Sequence, residues 1–141
     1  MAASETLSVP ATSEGIRLAV DAFEAFATGQ GLPVAERWRF QVAIDELLSN
    51  IVRHGRHDRT GRVSLSFTLT ETDLTVSISD SCDRFDPTSW PKAIPRAELD
   101  RQALSGRGIA LVRALMDDVH HEWQTAGNDV RISRRLRTSR S

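Results

Sequence analysis

The sequence predicts an α+β fold, a two-layer α/β sandwich with a mainly antiparallel sheet and its helices on one face. Three observations predict it. Residues 16–26 and 40–52 place apolar side chains at helical spacing. Residues 63–70 and 74–79 alternate apolar with small polar side chains, the pattern of strands covered on one side only. The order of elements is strand, helix, helix, two strands, a long irregular segment, helix, two strands, which packs as helices against one sheet.

Residues 6–9 form a short edge strand closed by Pro10. Thr12 or Ser13 caps the first helix, with Glu14 in its first turn. Ile16, Ala19, Val20, Phe23 and Phe26 give this helix an apolar face, and Gly29 and Gly31 end it. Pro33 opens a second helix that runs to His54 and stops at Gly55. A polar loop, 56–62, leads to the two alternating strands, joined by Glu71-Thr72-Asp73 as a hairpin. Residues 86–105 contain Pro87, Pro91 and Pro95, and their length inside a compact domain suggests a functional lid. A third helix over about 107–117 follows Gly106 and Gly108. Two last strands fit 119–125 and 129–136, with Gly127-Asn128 at their turn.

The 141 residues fit one domain, 1–141, with a basic, flexible tail from 134 to 141. A net charge of −1 gives no field that favours nucleic acid or an anionic membrane. No apolar run is long enough to span a bilayer, and the first ten residues lack a signal-peptide pattern. A lone cysteine, Cys82, forms no internal disulfide, and the expected location is the cytoplasm.

The most informative stretch is FQVAIDELLSNIVRH at 40–54. Phe40, Ala43, Ile44, Leu47, Leu48, Ile51 and Val52 follow the helix period, and Glu46, Asn50 and His54 form a polar strip along one edge. Each alone reads as a solvated boundary residue. Together they offer a general base in Glu46 and a hard oxygen ligand for Mg²⁺ in Asn50. Asp80 shares the strand parity of Leu74, Val76 and Ile78, so it points toward the helices, where a carboxylate needs hydrogen-bond donors such as a ligand amine. Gly106-Arg107-Gly108 opens the third helix, where close backbone approach and free N–H groups bind phosphate. No zinc-type Cys/His spacing, Walker A, GxSxG or HExxH pattern occurs.

These three sites, in this order, resemble the Bergerat-type ATP-binding fold shared by gyrase and histidine kinases. Residues 46–50 with His54 look like its N-box, 80–87 like the first glycine box, and 106–112 like the second. The compact length, the Phe85-Asp86-Pro87 step and the run GRGIALVRALMDDV are most similar to bacterial anti-sigma factor serine/threonine kinases of the partner-switching type. The resemblance spans about residues 6–136. It implies that Glu46 is the catalytic base, that Asn50 ligates Mg²⁺ and that Asp80 binds the adenine amino group. It further implies that residues 86–105 form the ATP lid. Arg53, His54, Phe85, Gly106, Arg107, Gly108, Ile109, Ala110 and Asn128 complete the nucleotide contacts. The implied partners are an anti-anti-sigma (STAS-type) antagonist as substrate and a sigma factor, with the kinase a homodimer and no direct nucleic-acid or membrane contact. Arg17 on the first helix is the candidate partner contact. The chain departs from the pattern in the first box, where Cys82 and Arg84 stand at glycine positions. That leaves open an alternative: a non-catalytic, partner-sequestering switch with weakened nucleotide binding.

Overall fold

A computed structural model describes residues 2–54, 61–81, 106–124 and 127–136. Strand β1 (Ala3–Pro10) is followed by helices α1 (Ser13–Gly29) and α2 (Val34–His54). The hairpin β2 (Arg62–Leu69) and β3 (Asp73–Ser81) comes next, then α3 (Gly106–Leu115), β4 (Asp118–Gln124) and β5 (Gly127–Arg135). The five strands lie in the order β1-β2-β3-β5-β4, every neighbouring pair antiparallel. The expected two-layer α+β architecture is therefore the observed one.

Strand parity sets the two faces of the sheet. Val63, Leu65 and Phe67 of β2, Leu74, Val76 and Ile78 of β3, and Val130 and Ile132 of β5 are buried under the helices. In-register pairs such as Phe67 with Val76, and Ile78 with Val130, put their side chains in common rows. The opposite face carries small hydroxyls, Thr6, Ser8, Ser64, Ser66, Ser77 and Ser79, in shallow relief. On the helix side, Ala19, Phe23, Phe26 and Ala27 of α1 meet Phe40, Ala43, Ile44, Leu47, Leu48 and Ile51 of α2 in one core. Phe67 contacts Phe23 edge-on, with ring centroids 5.3 Å apart, and Phe26 at 5.5 Å, while Phe23 lies 5.5 Å from Phe40. Val52, expected in the apolar stripe, is only half-buried.

The helix ends follow local chemistry. Thr12 caps α1, its hydroxyl accepting from the Gly15 N–H at 3.1 Å. At the other end the Leu32 and Gly31 N–H groups donate back to the Ala27 and Thr28 carbonyls. Gly31 sits at φ 76°, so this is a Schellman cap with Leu32 as its buried apolar residue. The hairpin turn is closed by Thr70, whose N–H donates to the Asp73 carbonyl at 2.8 Å and whose hydroxyl accepts from the Asp73 N–H at 3.0 Å.

Three boundaries differ from expectation. β1 begins at Ala3, because β2 is long enough to pair with it from Leu69 back to Arg62. Gly127 and Asn128 lie within β5, paired with Gln124 and Trp123, so the chain reverses before them. Arg134 and Arg135, where the expected last strand (129–136) and the expected flexible tail (134–141) overlap, are the last residues of β5, and Arg134 sits on the core-facing row. Residues 137–141 lie outside the described residues, as does the expected lid at 86–105. Among the described residues no helix is long and apolar enough to cross a membrane.

The entry to α1 is a close backbone approach. A Cβ on Gly15 would lie 1.7 Å from the Pro10 carbonyl oxygen, whereas one on Gly29 would meet nothing within 4 Å. Gly15→Ala should therefore lose about 1–3 kcal/mol of stability, as overpacked sites do. Gly29→Ala should be neutral or gain up to about 1 kcal/mol from helix propensity. Urea denaturation of both variants checks the contrast. Phe67→Ala, which removes the ring joining the layers, should cost about 3–5 kcal/mol in the same assay.

Candidate functional site

Two residues stand out once burial is set against polarity. Asn50, fully buried, and Asp80, 5% exposed, are the only buried polar or charged side chains among the described residues. Neither is without an interaction partner. Asn50 lies among Leu47, Leu48 and Ile51 on the core stripe of α2, and Asp80 continues the buried row of Leu74, Val76 and Ile78. Glu46 lies one turn before Asn50 on α2 and is half-buried. The expected inward orientation of Asp80 is thus observed, and Asn50 sits deeper than an edge position.

The fold carries these residues to one end of the molecule. The Arg134 guanidinium grips Glu36, in the first turn of α2, with two bonds: Nε to Oε1 at 2.9 Å and Nη2 to Oε2 at 2.8 Å. Both side chains are 19% exposed. Arg134 also pairs in register with Leu74, so the starts of α2 and β3 share one level. From there the helical path from Glu36 to Asn50 is about 21 Å. The strand path from Leu74 to Asp80 is about 20 Å. Asn50 and Asp80 therefore each lie about 20 Å along their own element from the clamp.

Helix α3 completes the arrangement. It packs on α2, and Asp117 just beyond its C-terminus lies 3.5 Å from Arg134. Its N-terminus, Gly106-Arg107-Gly108, is therefore directed toward the Asn50 end, with the free N–H groups and positive dipole of a helix start. On β5, Asp129 pairs with Ser79, one residue before Asp80, and accepts a hydrogen bond from its hydroxyl at 3.1 Å, so the register runs toward Asn128 opposite Asp80. Asn50 and Asp80 are thus the two buried polar groups of the helix layer and the sheet, with Glu46 one turn before Asn50 and α3 packed on the same helix.

The remaining expectations divide in three. Arg53 and His54 occupy the last turn of α2, and Gly106 to Ile109 the first turn of α3, but their side chains lie outside the described ones, as does that of Asn128. Ala110 is exposed. Phe85, Cys82 and Arg84 lie outside the described residues. Arg17 is not part of this constellation. It stands on the solvent face of α1, bonded to Glu14 and 3.4 Å from Asp21, and the Glu14 hydrogen bond raises its pKa above the ordinary value.

Sequence reasoning missed the clamp. Its signal was available: Arg134 shares the parity of Val130 and Ile132, and a charge on a core-facing row needs a partner. The hydrogen bond that Arg134 donates to Glu36 raises the Arg134 pKa, with burial opposing it. The stabilisation this provides is complete below the ordinary arginine range and is lost only as pH rises above it, so the cation persists at every physiological pH.

The donor set suits a nucleotide and a hard cation. Asn50 offers an amide oxygen of the kind Mg²⁺ takes alongside phosphate oxygens, Asp80 accepts hydrogen bonds only, and a helix N-terminus favours anions. No cluster of three or more His, Cys, Asp or Glu residues able to hold a metal by themselves occurs among the described residues. The cation would therefore need the substrate's own oxygens as further ligands.

Comparisons with known proteins show what the chain is similar to. Residues 9–134 match the family model of the histidine kinase-like ATPase domain. The chain is 28% identical over 118 residues to the serine-protein kinase RsbW of Bacillus subtilis, covering 80% of this chain and 74% of that one. It is 27% identical over 119 residues to RsbW of Listeria monocytogenes, covering 81% and 76%. A solved structure of the RsbU and RsbW domains of a Mycobacterium tuberculosis protein superposes with a TM-score of 0.71 at 16% identity. That match covers 95% of this chain and 32% of the other. The histidine kinase domain of a blue-light-activated kinase from Erythrobacter litoralis gives 0.53 at 20% identity, over 88% and 60%.

Proposed function

The chain belongs to the histidine kinase-like ATPase domain family, and from that premise we propose that it is an ATP-dependent protein serine/threonine kinase acting as an anti-sigma switch. Its substrate is an anti-anti-sigma antagonist of the STAS type, its second partner is a sigma factor, and it works as a homodimer with residues 1–141 forming one domain. The observation that carries this reading is the buried pair. An apolar core retains Asn50 on α2 and Asp80 on β3, although buried polar groups are costly unless they serve a purpose.

Each residue then has one task. The Asp80 carboxylate accepts a hydrogen bond from the adenine amino group, a contact that guanine, with a carbonyl there, cannot make. Backbone N–H groups at Gly106, Arg107 and Gly108 hold the phosphates. The Asn50 amide oxygen would hold Mg²⁺, which when bound would supply positive charge to the phosphates. Glu46, half-buried and one turn away, accepts the proton of the antagonist's Ser or Thr hydroxyl as its oxygen attacks the γ-phosphorus. The bond to the β-phosphate oxygen breaks, and ADP leaves. Most of the acceleration is positioning and charge neutralisation, as in other phosphoryl transfers. The relatives named serine-protein kinase support the transfer to a hydroxyl amino acid.

A second reading is favoured by one feature, Cys82 and Arg84 at glycine positions of the first box. A Cβ there opposes close passage of the backbone by adenine, leaving a protein that sequesters partners without chemistry. Calorimetry separates the two. The kinase reading expects Mg-ATP binding that Asn50→Ala weakens at least tenfold, and an ATP-over-GTP preference that Asp80→Ala abolishes. No binding at millimolar Mg-ATP would leave sequestration alone.

Phosphotransfer supplies the second check. Glu46→Gln should lower transfer to a purified antagonist about 10²–10⁴-fold, the usual worth of a general base. Its Mg-ATP affinity should stay within about threefold of wild type, since a base adds little to ground-state binding. Equal losses in both would remove Glu46 from the role of base.

A further inference from the structure

We propose that Arg134 is a positioning residue. With Glu36 and Asp117 it forms a clamp, at the end of the domain opposite Asn50 and Asp80, that sets the height of α2 over the sheet and so aligns Glu46 and Asn50 with Asp80. The catalytic consequence rests on the nucleotide-site reading, while the alignment itself does not.

The argument begins with what holds α2. Its apolar face packs through Ala43, Ile44, Leu47 and Leu48, side chains that attract without direction and tolerate sliding along the helix axis. Its polar ties to α1, Arg37 to Glu24 at 3.3 Å and Gln41 to Glu24, fix one helix to the other and not to the sheet. The Arg134–Glu36 pair is different in kind. It is bidentate, four-fifths buried, and joins the first turn of α2 to the strand beside β3. A planar fork fixes both separation and orientation, which a lysine would not.

The strand side of the clamp is itself held. The Asp117 N–H donates to the Ser133 carbonyl at 3.0 Å, the Arg135 N–H to Asp117 Oδ2 at 2.6 Å, and the Leu136 N–H to the Thr72 carbonyl at 2.7 Å. One cation thus gathers the start of α2, the end of α3 and the start of β3. Apolar packing gives little help here. A cleft of about 780 Å³ opens between Leu32, Pro33, Asp117 and Leu136, with Glu36 and Arg134 in its wall. Because β3 is stiff and runs directly from the Arg134 row to Asp80, a slip of α2 at the clamp appears undiminished at Asn50. A displacement of about 1 Å suffices to impair a positioned site.

The test reads position independently of nucleotide. Spin labels on Asp45→Cys of α2 and Thr68→Cys of β2, in a Cys82→Ser background, report the distance between helix and sheet. Arg134→Leu is expected to shift or broaden that distance by 2 Å or more while circular dichroism stays native, and Arg134→Lys to fall between it and wild type. Without the labels, Arg134→Leu should weaken Mg-ATP binding about tenfold, and Arg134→Lys should partly restore it. A destabilised control at the half-buried Val20 of α1, Val20→Ala, should move neither readout. If Arg134→Leu does not fold, the isosteric Glu36→Gln gives the same reading. An unchanged label distance in a folded clamp variant would overturn the proposal. A wild type that binds no Mg-ATP, but whose label distance responds to the clamp, would overturn the nucleotide reading and uphold the positioning role.

Discussion

Everything in this domain hangs on Phe67. It sits in the middle of β2, completely buried, and touches Phe23 and Phe26 of α1, while Phe23 in turn touches Phe40 of α2. This aromatic junction holds the helix layer to the sheet at its centre through contacts that are strong but weakly directional. Directional chemistry is left to the two ends. At one end an arginine on the sheet grips a glutamate on a helix. At the other, an amide and a carboxylate enter the core from opposite layers. The fold can be understood as a frame pinned in the middle, keyed at one end and open to chemistry at the other.

Much of this was legible in the sequence, for definite reasons. The alternation around Leu65 and Phe67, and around Val76 and Ile78, fixed which side of each strand would be covered. The same parity correctly placed Asp80 inward. Helical spacing placed Asn50 beside the apolar stripe of α2. What periodicity cannot supply is long-range registry. Nothing local in Ala3 to Glu5 says that β2 extends far enough to pair with them, and nothing near Gly127 says that pairing with Gln124 wins over a turn. Arg134 falls both in the alternation of the last strand and in a run of arginines that reads as a solvated tail. Its partner, Glu36, lies 98 residues away in the chain, beyond the reach of any local pattern.

The site illustrates how stability and function divide a small core. Leu47, Leu48 and Ile51 surround Asn50, and Leu74, Val76 and Ile78 lead up to Asp80, so each polar group is delivered by an element whose other buried residues are apolar. That makes each position rigid, since the rotamers of neighbouring core residues are fixed by packing. Glu46, one turn before Asn50, is half-buried and so remains reachable from solvent, unlike its buried neighbours.

The strand order has a consequence for how the molecule is made. β5 emerges late in synthesis, yet it lies between β3 and β4 and carries Arg134 to the row of Leu74. Before it arrives, β1, β2 and β3 can already pair, and α1 and α2 can cover them, which gives a three-stranded half-domain with an unpaired edge on β3. Such an edge is a liability until it is filled. The half-domain already contains Asn50 and Asp80, but not Arg134, whose guanidinium ties β5 to the start of α2. In the nascent chain both buried polar groups therefore exist before that tie between sheet and helix can form.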